Sequence, residues 1–202
     1  MPVETTDLIS LSTFATVAAF TPGPNNLLLA ASSANFGWHA TIPHMLGVIF
    51  GFTLLVLIAA LGLGWLLSVI PGLQWILRLL GLAMIFNIAF RLARSDTLDK
   101  QRRPRPMRFS EAALFQWINP KGVVVIISAI SAYTNPAEIV LTEVGILVGL
   151  FFWVTVGSVV LWSYSGAVIA ASLKSRTRLI WFNRVAALAL VMSVLPVMLD
   201  IP

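Results

Sequence analysis

Six times along its 202 residues the chain turns apolar for at least the roughly 20 residues that a helix needs to cross a bilayer. The runs lie at about 8–31, 42–67, 73–94, 110–133, 140–172 and 179–199. Hydrophobic residues make up 58% of the chain and charged residues 10%, against roughly 25% charged in soluble proteins. In hydrocarbon every backbone N–H and C=O needs a partner, and helices supply one within each run. The longest polar stretch, about 95–110, is linker-sized, so no soluble domain fits beside the runs. The expected fold is an all-α membrane protein with six transmembrane helices.

Two of the runs are broken where a membrane helix least tolerates it. Thr21-Pro22-Gly23-Pro24-Asn25-Asn26 interrupts the first, and Asn119-Pro120-Lys121-Gly122 interrupts the fourth. A residue before proline is pushed out of the α region, so Thr21, Gly23 and Asn119 continue a helix poorly. Pro24 and Pro120 suit the first position of a new helix, and Asn119 is a natural N-cap. A restarted helix offers unpaired N–H groups and the positive end of its dipole, which favour a carboxylate or another anion. Two such ends approaching one site from opposite sides suit a small anionic or zwitterionic solute.

Basic residues set the expected topology. Arg91, Arg94, Lys100, Arg102, Arg103, Arg105 and Arg108 flank the link between runs three and four, and Lys174, Arg176, Arg178 and Arg184 flank that between runs five and six. The positive-inside rule puts both links in the cytoplasm and both termini outside. Trp38, Trp65, Trp75 and Trp181 fall near run ends, at headgroup level. The chain divides into residues 1–95, a basic cytoplasmic linker 96–109, and residues 110–202. Each part carries three spans, an odd number, so the two halves cross in opposite senses as an inverted repeat with a broken first helix in each. The first run lacks a basic leader and reads as a retained helix. The linker reads as a solvated, topology-fixing segment and not as a nucleic-acid site. With no cysteine, disulfides and thiol metal sites are excluded.

Among polar residues in the runs, Lys121 is the costliest. One reading lets it snorkel to the headgroups; the other makes it a fixed cation for a substrate carboxylate, with Gln116 and Asn119 one turn earlier. Pro22, Gly23, Pro24, Asn25 and Asn26 complete the expected translocation site. Asn87, near the middle of the third run, is open to a helix–helix hydrogen bond or to solute contact. Gly47 and Gly51 form a GxxxG packing pair. Thr155, Ser158, Trp162 and Ser165 recur at helical spacing, first as a packing face and second as a pathway lining. His39 and His44 are expected at the interface. No nucleophile–base pair, HExxH motif or phosphate loop is present, so a solute carrier is a better class than an enzyme or an ATP-driven pump. Glu111, Glu138 and Glu143 all lie near run ends, with Glu111 the first candidate to carry a coupling proton.

Pro22-Gly23-Pro24-Asn25-Asn26 with Gly37, Gly47 and Gly51, followed by Phe115-Gln116-Trp117-Ile118-Asn119-Pro120-Lys121, resembles the lysine exporter (LysE/RhtB) superfamily of bacterial amino-acid efflux proteins over essentially the whole chain. The resemblance implies proton-gradient-driven export of amino acids or close derivatives across the bacterial inner membrane, with no cofactor, and assigns the translocation site to Pro22, Gly23, Pro24, Asn25, Asn119, Pro120 and Lys121. The chain departs from the family where Phe52 follows Gly51 in place of an acidic residue, where Met84 replaces a tyrosine, and at Ser131-Ala132-Tyr133. Phe52 argues against a cationic substrate, whose buried ammonium would want a carboxylate. A neutral amino acid fits better, and run two is reminiscent of the cysteine and O-acetylserine exporter branch. Expected partners are the amino acid, the bilayer and a further copy of the chain. The alternatives are a divalent-cation exporter of the same superfamily, disfavoured by the charge of Lys121, and a structural membrane subunit.

Overall fold

Prolines and glycines punctuate the helices. The computed structural model describes residues 5–63, 71–94, 105–134, 141–172 and 175–199. Helix α1 (Thr5–Phe20) stops at the first break, and α2 (Pro24–Phe36) restarts with Pro24 in its first turn. Gly37, at φ 85°, makes the sharp link to α3 (Trp38–Ile58), in a left-handed conformation that glycine adopts most readily. A wide turn, Ala59–Leu63, follows with Gly62 at φ 107°. Then come α4 (Pro71–Ala93), α5 (Phe109–Ile118), α6 (Pro120–Tyr133), α7 (Leu141–Ser172) and α8 (Arg176–Leu199). The described residues are helical, with no strand among them.

The short helices α2 and α5 occupy the interior, wrapped by longer ones. Leu28 of α2 and Phe115 of α5 pack with Ile85 and Ala89 of α4 and Ala187 and Leu190 of α8. One residue round the helix, Leu29 joins Ala112 of α5, Val48 of α3 and Val159 of α7. A third cluster, with Leu11, Val56, Ile126 and Phe151, ties α1 and α6 to α3 and α7. Small residues set the closest approaches, as membrane helices need where no hydrophobic force separates lipid from protein. A Cβ on Gly47 would lie 2.7 Å from the Ala112 Cβ, one on Gly51 would lie 2.8 Å from the Ala113 oxygen, and one on Gly166 would lie 2.8 Å from the Ala30 Cα. Gly81 of α4 lies against the Ile118 carbonyl, beside the second break.

Large apolar side chains cover the outside. Leu46, Phe50 and Leu54 of α3, Phe86 and Phe90 of α4, Trp153 and Tyr164 of α7, and Leu188 of α8 are exposed. Water would penalise such a surface and lipid would not. Among the described residues three helical stretches, Trp38–Gly62, Leu141–Ser172 and Thr177–Val194, are long and apolar enough to cross a membrane. The pair α5 and α6, bent by 59°, makes a fourth if counted as one broken span. The apolar parts of α1 and α4, Leu8–Phe20 and Leu79–Ala93, are shorter.

The helix start of run two differs from the sequence expectation: α3 begins at Trp38, four residues upstream, because Gly37 and not a polar link ends α2. The linker residues 95–104, with Lys100, Arg102 and Arg103, lie outside the described residues, as do Trp65, Glu138 and Lys174. Gly51→Leu is expected to force α3 from α5 and lower stability by about 1–3 kcal/mol, the usual cost of overpacking. Thermal unfolding in detergent measures it, with the exposed Leu46→Ala, expected to shift stability far less, as the control.

Candidate functional site

The first break leaves carbonyls at the end of α1 that no helical N–H can reach. Their donors come from four places. The Thr21 N–H and hydroxyl both turn back on the Val17 oxygen, at 3.0 and 2.8 Å. Asn26, inside the restarted helix, donates its amide to the Ala19 oxygen at 2.7 Å and the Thr21 oxygen at 2.9 Å. Ser158 of α7 donates to the Ala19 oxygen at 2.6 Å. Lys121, from the start of α6, donates Nζ to the Thr21 oxygen at 2.8 Å and to its hydroxyl at 3.0 Å. A cation at the negative end of α1 is favoured by the dipole as well.

The second break is built differently. Asn119 leaves the helix at φ −75° and ψ 105°, and Pro120 opens α6. The side chain of Asn119 does not cap α6, contrary to the sequence expectation. Its Oδ1 is buried without a hydrogen-bond partner, a condition that ordinary cores avoid. Neither α2 nor α6 has a side-chain cap, so both present their first N–H groups to the breaks. Gln116, fully buried, exchanges two hydrogen bonds with Asn25, at 2.6 and 3.3 Å, and gives a third to the Ala112 oxygen at 2.7 Å.

Between the breaks lies a cavity of about 70 Å³. Gly23, Pro24, Asn25 and Asn26 line it from the first break, and Asn119, Lys121 and Gly122 from the second. Phe52 of α3 and Phe151, Thr155 and Ser158 of α7 close it. Gly23 lies under the Lys121 side chain: a Cβ there would fall 2.7 Å from Cδ of Lys121 and 3.1 Å from Nζ, so the lysine would have to shift.

Seven of the residues expected in the translocation site therefore meet around this space or across its walls: Gly23, Pro24, Asn25, Asn26, Gln116, Asn119 and Lys121. Pro22 is exposed at the break, and Pro120 is buried beneath it. Asn87 is elsewhere, lining a second cavity with Arg91. Gly47 and Gly51 serve the α3–α5 contact. Thr155 and Ser158, read first as a packing face, line the site; their spacing carried the signal, but it is equally the spacing of a packed helix. Thr21 acts through its carbonyl and hydroxyl, for which the sequence has no specific signature. His44, expected at the interface, is instead buried, because α3 turns that face towards α2 and α5 while His39 stays exposed.

Residues 16–199 match the family described as LysE type translocator. The chain belongs to the LysE type translocators. A cysteine/O-acetylserine efflux protein of Salmonella choleraesuis (strain SC-B67) is 30% identical over 181 residues, which are 89% of this chain and 91% of the relative. A protein of the same name from Escherichia coli O157:H7 is 31% identical over 156 residues, 76% of this chain and 79% of the relative. No solved structure matches. The translocator family covers both breaks and all the cavity-lining residues.

Asn26 and Asn119 of this translocator have expected effects on stability that differ in size. Asn26→Leu removes the donor shared by the Ala19 and Thr21 carbonyls and is expected to cost about 1–3 kcal/mol. Asn119→Leu breaks no bond at Oδ1 and is expected to cost about 1 kcal/mol or less, as for a volume-conserving change. Thermal unfolding of the two variants side by side in detergent makes the comparison.

Proposed function

We propose that this translocator exports small neutral amino acids or their close derivatives, by secondary transport driven by the proton gradient. The observation that carries the reading is the pairing, in one small cavity, of an unused acceptor at Asn119 with a cation and uncapped helix starts. A zwitterion matches both. Its carboxylate goes to the N–H groups at the starts of α2 and α6 and to the one Lys121 donor of three that Thr21 leaves free. Its ammonium goes to Oδ1 of Asn119. The side chain faces Phe52, Val125 and Phe151.

Size and charge narrow the class. A cavity of about 70 Å³ takes a handful of waters at roughly 10–15 Å³ each, comparable to a solute of few heavy atoms. No acidic side chain is among the lining residues, which disfavours a lysine or arginine side chain. The cysteine/O-acetylserine efflux relatives support a substrate of that size.

The membrane arrangement we propose is six spans, termini outside, in two inverted halves within the bacterial inner membrane. Then α1 with α2 corresponds to α5 with α6, α3 to α7, and α4 to α8. The packing of α3 against α7 and of α4 against α8 supports this, because counterpart helices meet about a two-fold axis. Alternating access follows as the halves rock about the site.

Bacteria expressing the chain and loaded with mixed dipeptides that hydrolyse inside are expected to release a few small neutral amino acids faster than vector controls. Lys121→Ala is expected to slow release about tenfold or more, matching loss of a charged hydrogen bond of about 1.5–3 kcal/mol. Asn119→Leu is expected to raise the internal concentration needed for half-maximal release. Release of every amino acid at the control rate, with membrane insertion confirmed, would refute the reading.

A further inference from the structure

His44 stands where a titratable group has least reason to be. It is 1% exposed, and neither Nδ1 nor Nε2 has a hydrogen-bond partner. An imidazole always carries a donor or acceptor on each nitrogen, so burying both without partners costs stability. Such a cost is tolerated where another state of the molecule uses the group.

The surroundings say what that use is. His44 lines a cavity of about 310 Å³, distinct from the one between the breaks. This volume has room for on the order of 20 waters at roughly 15 Å³ each. The charged groups facing it are Arg91 from α4, Arg105 from the stretch before α5, and Glu111 from α5. From α2 come Ser32 and Asn35, both uncharged, and no residue of α7 or α8 lines it. Most of these polar groups are committed. Ser32 bonds Thr41 at 3.1 Å, and Asn35 and Asn183 exchange bonds at 2.7 and 2.9 Å. Glu111 holds the Arg105 guanidinium, with one bond at 2.8 Å, and the Arg108 N–H at 2.9 Å. Glu111, the first candidate by sequence for the coupling proton, is thus occupied as a counter-charge and helix cap. Lys121 is occupied by Thr21. Among the described residues, His44 is the buried titratable side chain that holds nothing.

We propose that His44 is the proton-binding group of the transport cycle, exchanging its proton with water in this cavity. The inference rests on the export reading above, with the basic link flanked by Arg91 and Arg105, which line this cavity, on the cytoplasmic side. An imidazole nitrogen takes one proton when the opposite conformation gives it access to the outside, and the imidazolium returns that proton to cavity water inside. No bond of the solute changes. An imidazolium sealed among these walls lacks hydrogen-bond acceptors, so protonation favours the conformation that opens the cavity, with Glu111 as the nearest kind of counter-charge. The link to the solute is short in structural terms. Ser32 and Leu28 line the same cavity, and α2, on which they stand, begins with Asn25 and Asn26 at the solute site.

The test uses the purified full chain in liposomes, with the amino acids released in the cell assay as probes. Wild type is expected to perform two activities: exchange of labelled for unlabelled amino acid without a gradient, and accumulation driven by an imposed pH difference. A difference of about one pH unit supports up to about tenfold accumulation at one proton per solute. His44→Gln and His44→Asn, checked for native unfolding temperature, are expected to keep exchange within a few-fold and to lose gradient-driven accumulation and solute-coupled proton flux read by an internal pH dye. Accumulation that survives in either folded variant overturns the proposal. Loss of exchange together with accumulation, in both folded variants, also overturns it, since His44 would then serve the solute or the conformational change itself. Wild type that exchanges no amino acid sinks the export reading, a separate failure that removes this proposal with it.

Discussion

An interrupted helix inside an apolar protein leaves bare carbonyls, and the arrangement of this translocator follows from where their donors are found. The end of α1 is satisfied from three other helices: Asn26 of α2, Lys121 of α6 and Ser158 of α7. Asn26 is a local donor, but Lys121 and Ser158 come near only once distant parts of the chain are assembled, since they lie 100 and 139 residues from their acceptors. The break therefore fastens the start of the chain to helices far along it, α6 and α7. The same bonds explain the crowding at Gly23, over which the Lys121 side chain must pass.

Much of this was legible in the sequence, for reasons that differ by residue. The breaks at Gly23 and Asn119 could be read because proline constrains its own and the preceding residue regardless of context. The packing role of Gly47 and Gly51 could be read because GxxxG places both on one face. What could not be read was partner choice. Lys121 was expected to await a carboxylate; it does present a free donor, but two donors go to Thr21, a pairing that depends on tertiary geometry alone. Asn119 has the composition of a cap and the geometry of a linker residue. His44 and His39 differ by five positions on one helix, enough to set one outside and bury the other. Local pattern shows where a helix is interrupted; only the fold shows which groups the interruption recruits.

Short inner helices and long outer ones divide the labour. α2 and α5, at 13 and 10 residues, contribute Asn25, Asn26 and Gln116 and join two of the three apolar clusters, while α3 and α7 contribute the walls. Both short pieces carry side chains at the cavity between the breaks or behind it. The close glycine contacts hold α3 against α5 and α7 against α2, so each of the two short helices is seated on a long one.

The reciprocal amide pair of Asn25 and Gln116 joins α2 to α5 through two uncharged hydrogen bonds. A salt bridge in that position would hold the two helices by charge and leave two ions stranded on parting. Amides part more evenly, because each can trade its partner for water or another polar group at a small net cost. A latch of this kind sets the register of α2 against α5 and leaves no buried ion behind should the two separate.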